Sequence, residues 1–87
     1  MDGSPHLWEE GAYGLRRSFL FSSFTAGIAF VNDVSAVAEN QHHHPLIAVD
    51  YTCVTLTVNT HDAGGAVTEK DHKLAYAVDA LYLALKD

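Results

Sequence analysis

Positive charge is scarce in this chain. It carries five Lys and Arg against eleven Asp and Glu, a formal net charge of −6 with histidine neutral. Five cations with no basic run cannot neutralise many phosphates, so direct binding of nucleic acid is not expected. Cysteine is scarcer still: Cys53 stands alone, so no internal disulfide can form. The start, Met-Asp-Gly-Ser, has no apolar core behind a basic segment. No signal peptide is expected there, and the cytoplasm is the expected compartment. No apolar run reaches the roughly 18 residues that a membrane span needs. The stretch from Phe19 to Val34 comes nearest, and Ser22, Ser23, Thr25, Asn32 and Asp33 interrupt it.

Apolar side chains are plentiful, at 48% against 18% charged, which is too apolar for a disordered chain. Eighty-seven residues make one domain, spanning 1–87. A chain of that size buries only about 60% of its unfolded surface, so association into a homodimer or homotetramer is expected to cover the remaining apolar area.

Periodicity places the elements. Residues Met1 to His6 carry no pattern. Glu9 to Gly14, with two glycines, reads as a turn between short strands, and Leu15 to Phe21 alternates as the second strand. Ser22 or Ser23 supplies a helix N-cap. The apolar stripe that follows is Phe24, Ile28, Val31, Val34 or Ser35, and Ala38. Pro45 ends that helix and biases His44 towards extended backbone. Ile47, Val49 and Tyr51, then Val54, Leu56 and Val58, alternate as a hairpin that turns around Thr52 and Cys53. After the loop Asp62 to Gly65, Thr68-Glu-Lys-Asp71 reads as a capping box in which the Thr hydroxyl takes the Asp71 amide and Asp71 reaches back. A helix from about Glu69 to Leu85 follows, with Leu74, Ala75, Val78, Leu81, Tyr82 and Leu85 inward. Its other face, with Tyr76, Ala77, Ala80, Leu83 and Ala84, is also apolar, which suits contact with a second copy about a two-fold axis. The predicted fold is α/β (α+β): a four-stranded antiparallel sheet with two helices on one face.

Four of the six histidines fall between Glu39 and Asp71, three of them consecutive. Imidazole donates or accepts protons near neutrality without a large shift, so His43, His44 and His61, brought to one end of the hairpin, make a candidate acid–base site. Glu39 can orient a neighbouring imidazole. Asp71 is read as a cap, and Cys53, His6 and His72 are read as having no chemical role. Zinc is disfavoured: consecutive residues of extended chain face opposite ways, and no further ligand pair completes a tetrahedron.

Glu39, His43-His44-Pro45, Tyr51, Thr60-His61, Gly64-Gly65 and Asp71 stand in the order and spacing of the pterin-4a-carbinolamine dehydratases, and the chain resembles that family. The likeness extends upstream through Trp8, Leu15 to Phe21 and Ala29 to Glu39. Ile47 departs from a Trp common in the family, Leu46 and Ala48 from polar residues, and His42 from Asp, Asn or Gly. The glycine loop is one residue longer at Ala66, and the family's first helix has no counterpart before Trp8. The resemblance implies a hydro-lyase that dehydrates 4a-hydroxytetrahydropterin to quinonoid dihydropterin, with His43, His44 and His61 catalytic and Glu39, Pro45 and Thr60 around the substrate. The pterin is then the substrate, and no cofactor or metal is implied. A second implied reading is a protein-binding role, as in Rubisco assembly in carboxysomes or coactivation of a homeodomain factor.

Overall fold

The computed structural model describes residues 7–85, so the patternless Met1 to His6 lie outside it. Strands β1 (Glu9–Gly11), β2 (Gly14–Leu20), β3 (Leu46–Asp50) and β4 (Cys53–Val58) form one antiparallel sheet in the order β1-β2-β4-β3. Helices α1 (Phe24–Gln41) and α2 (Glu69–Leu85) cover one of its faces.

Alternation decides which face. Val54, Leu56 and Val58 of β4 are buried, and β2 sets Leu15 against Val58, Arg17 against Leu56 and Phe19 against Val54. Side chains alternate along a strand, so these positions point one way and Arg16, Ser18, Thr55 and Thr57 the other. Arg17 is tolerated on the core face because its guanidinium lies 4.4 Å from the Phe19 ring centre and donates to Asp79 of α2 at 2.6 Å. The Trp8 indole N–H donates to the same carboxylate at 2.9 Å, which ties the start of the described chain to α2.

Three local expectations are revised. Strand β1 runs to Gly11, so the first turn shrinks to Ala12 and Tyr13; Gly14 begins β2 at φ 116°, where a Cβ would lie 2.2 Å from the Val58 carbonyl oxygen. The β3–β4 turn is Tyr51 and Thr52, with Asp50 paired to Cys53 and Tyr51 itself at φ 55°. On α1, which Ser23 caps by accepting from the Ala26 amide at 3.1 Å, the buried stripe is Gly27, Phe30, Val34 and Ala38. Gly27 faces Val54 and Phe21, at distances where an added Cβ would make ordinary contact, 3.4 and 3.5 Å. With Gly27 on the inward face, Phe30 turns into the core, with ring centres 5.0 Å from Phe19 and 5.1 Å from Phe21, and Phe24 is half exposed.

Helix α2 has the predicted bounds, but Asp71, Leu74, Ala75 and Val78 are its buried residues, and Leu85 stands half exposed. No helix is long and apolar enough, among the described residues, to cross a membrane.

Candidate functional site

The site begins where α1 stops. His42 is left-handed (φ 54°, ψ 40°), and its N–H reaches the Ala38 and Glu39 carbonyls, while the His43 N–H returns to Ala38 at 3.1 Å. This closure is the usual helix C-terminal turn, built here on a histidine where glycine is the residue without steric cost. It swings the chain so that the next two imidazoles diverge. His43 Nε2 lies 2.6 Å from Asp71 Oδ1, and His44 Nε2 lies 2.7 Å from Glu39 Oε2. Pro45 then delivers the chain into β3.

The opposite wall comes from the end of β4. Thr60 bridges to Ala66, and a single 3-10 turn, His61–Ala63, follows. Gly64 (φ 70°) and Gly65 (φ 87°) bring the chain back, with the Gly65 N–H on the Thr60 carbonyl at 3.0 Å. A cleft of about 300 Å³ results, lined by His42, His43, His44, Asn59, Thr60, His61, Asp62 and Lys70.

Asp71 underlies this cleft. Its side chain is 0% exposed, and its carboxylate accepts from the Thr60 hydroxyl at 2.8 Å and the Thr68 amide at 2.8 Å besides meeting His43. Thr60 has one hydroxyl proton and gives it to Asp71, so Thr68 must donate in the 2.5 Å contact between the two hydroxyls. Thr68 Oγ1 accepts from the Lys70 amide at 3.3 Å instead of from Asp71 as the capping pattern predicts; the return bond from Asp71 to the Thr68 amide forms as expected.

Burial pushes the Asp71 carboxyl up, but the hydrogen bond from His43, those from the Thr68 amide and Thr60 hydroxyl, and the charge of His43 together hold it below its ordinary value. The group is therefore an anion that can only accept. His43 Nε2 must carry the proton between them, which leaves Nδ1 bare in the neutral ring. His44 and Glu39 repeat the motif in water, at 61% and 74% exposure, where such pairs contribute about 1 kcal/mol at most.

Of the predicted site residues, His43, His44, His61 and Thr60 share the cleft wall, although the Thr60 hydroxyl is engaged below it. Glu39 reaches the cleft through His44, and Pro45 shapes the turn without lining it. Sequence reasoning passed over Asn59, Asp62, Lys70 and the central part of Asp71. The signal for Asp71 was its place on the inward stripe of α2, three and four residues before Leu74 and Ala75. Among the described residues, no three His, Cys, Asp or Glu converge to hold a metal ion.

Comparison with known proteins adds three findings. The family described as pterin 4 alpha carbinolamine dehydratase matches residues 3–81. A Gloeobacter violaceus relative that carries the pterin-4-alpha-carbinolamine dehydratase name is 48% identical over 69 residues, 79% of this chain and 74% of its own; a Koribacter versatilis relative of the same name is 38% identical over 92% of this chain and 84% of its own. Two solved structures are similar. A transcriptional coactivator/pterin dehydratase from Brucella melitensis has a TM-score of 0.80 at 31% identity, covering 87% of this chain and 82% of that one. A pterin dehydratase-like protein identified as a RuBisCO assembly factor in the α-carboxysome has a TM-score of 0.74 at 28% identity, covering 90% and 92%.

Proposed function

The chain belongs to the pterin-4a-carbinolamine dehydratase family, and on that footing we propose that it dehydrates a 4a-hydroxytetrahydropterin to the quinonoid dihydropterin. The observation that carries the reading is the His43–Asp71 pair buried beneath the cleft wall. A buried anion on Nε2–H holds one tautomer and stabilises the imidazolium that forms when Nδ1 takes a proton. His43 is therefore the base for a ring N–H. His61 is exposed, and no side-chain hydrogen bond ties its imidazole among the described residues, so the ring is free to turn to the substrate; it protonates the 4a-hydroxyl. The C–O bond breaks, water leaves, and the ring's N–H electrons close the new double bond. His44, oriented by Glu39, holds the ring. Each positioned acid or base supplies about 10²- to 10⁴-fold. The reaction routes no step through a metal or cofactor. Purified protein mixed with freshly generated 4a-hydroxytetrahydropterin should accelerate dehydration well above buffer; a rate equal to buffer overturns the reading.

A second reading is a protein-binding role with weak or no catalysis. It is favoured by the likeness to the RuBisCO assembly factor. Apart from that role, an apolar recess of about 380 Å³ lies between Leu20, Phe21, Ala26, Ala29, Tyr82 and Leu85. Leu20 is 68% exposed beside this recess, and Leu83 is 66% exposed on the outer face of α2. We assign that surface to a second copy of the chain, with the open edge of β3 as a further contact. Calorimetry with a dihydropterin, beside pull-down of a stoichiometric partner, separates the roles: partner without pterin signal favours the second.

A further inference from the structure

We propose that the cleft has a second compartment that takes an anionic substituent of the bound ring, a carboxylate or a phosphate. This inference rests on the pterin reading and names the class of pterin. The primary cleft, at about 300 Å³, is at the small end of ligand pockets, which run from about 300 to 1,000 Å³. A bicyclic ring fills it, and a long substituent must leave it. Lys70 stands in the wall shared with a second recess of about 460 Å³, lined by Glu69, Lys70, His72, Lys73 and Tyr76.

The charge distribution singles out this direction. Of the five cations, Arg17 is paired with Asp79, Arg16 lies over the Tyr13 ring, and Lys86 is outside the described residues. The remaining two, Lys70 and Lys73, are exposed, have no salt bridge among the described residues, and both border this recess. Three residues apart on one helix, they occupy the same face. Glu69 offsets one of them, which leaves room for one anionic group, and the half-exposed Tyr76 ring offers a flat surface to the substituent.

Calorimetric titration tests this with three ligands that share the dihydropterin ring: neutral 6-hydroxymethyl-7,8-dihydropterin, its monophosphate, and 7,8-dihydropteroylglutamate. The wild type should bind at least one anionic ligand about three- to twentyfold more tightly than the neutral one, the range set by one or two solvated ion pairs. The tighter of the two names the anion. The preference should shrink in 0.5 M salt and approach one in K70Q/K73Q. Equal affinities for all three, or a preference that survives either 0.5 M salt or a folded K70Q/K73Q, overturns the second compartment and leaves the pterin reading standing. Binding of none of them overturns both. The salt series uses the wild type alone, so it decides the matter even where K70Q/K73Q does not fold.

Discussion

Replacing Asp71 with Asn tests the centre of the site with the smallest change of shape. One oxygen must still accept from the Thr68 amide and the Thr60 hydroxyl, each at 2.8 Å, because turning the amide the other way would set two donors against each other. The Asn NH₂ therefore faces His43 Nε2, which lies 2.6 Å from the carboxylate oxygen and already carries a proton. His43 has to move that proton to Nδ1 and accept at Nε2, which removes the base the proposed reaction uses. The expected loss is the worth of one positioned base, about 10²- to 10⁴-fold in kcat, with KM changing much less. Stability falls too: charge-assisted bonds of about 1.5–3 kcal/mol become neutral ones of about 0.5–1.5, partly offset by relief of burying a charge. A net loss of about 1–3 kcal/mol lowers Tm by about 5–20 °C. Stopped-flow dehydration and thermal unfolding measure both. A folded variant with wild-type kcat refutes the tautomer argument.

The acid limb of stability carries the same signature. Asp71 is held below its ordinary carboxyl value in the fold, so the unfolded chain binds that proton more readily. Its contribution is fully present above the unfolded value, about pH 4, and is lost as pH falls through the folded one. Urea midpoints between pH 6 and 2.5 should fall less steeply for D71N than for the wild type; parallel curves would assign the acid sensitivity to other carboxylates.

Three further outcomes follow from geometry. G14A places a Cβ 2.2 Å from the Val58 carbonyl oxygen at a φ of 116°, so urea unfolding should show a loss of about 2–4 kcal/mol, and a loss under 0.5 would mean the β1–β2 turn relaxes freely. H42G relieves a left-handed non-glycine residue at φ 54° and should raise the unfolding free energy from urea titration by up to about 1 kcal/mol; destabilisation would show that the His42 side chain holds the turn. L83E, on an exposed helix face, should halve or quarter the mass seen by light scattering while leaving pterin binding intact, and a wild type already monomeric at low micromolar concentration refutes the self-association proposal.

How far the sequence revealed this site depends on which physical rule each residue obeys. The strands of the β3–β4 hairpin and the bounds of α2 follow local rules, alternation and a cap, and both were legible. The inward stripe of α1 was not: a hydrophobic pattern treats Gly27 as a gap, whereas Gly27 is the residue that faces Val54, and the stripe through it sets Phe30 against Phe19. The acid–base geometry depends on a contact 28 residues apart in sequence, set by a left-handed turn at a histidine that no turn preference announces. Yet the stripe Asp71, Leu74, Ala75, Val78 contained the clue. An apolar side chain at such a position commonly stabilises a fold at least as well as a buried ion pair does, so packing alone gives no reason for a carboxylate there. Its structural reason is the cap on the Thr68 amide; in the proposed reaction a second reason is the imidazole above it, since the charge that costs stability in the core fixes which nitrogen of His43 carries the proton.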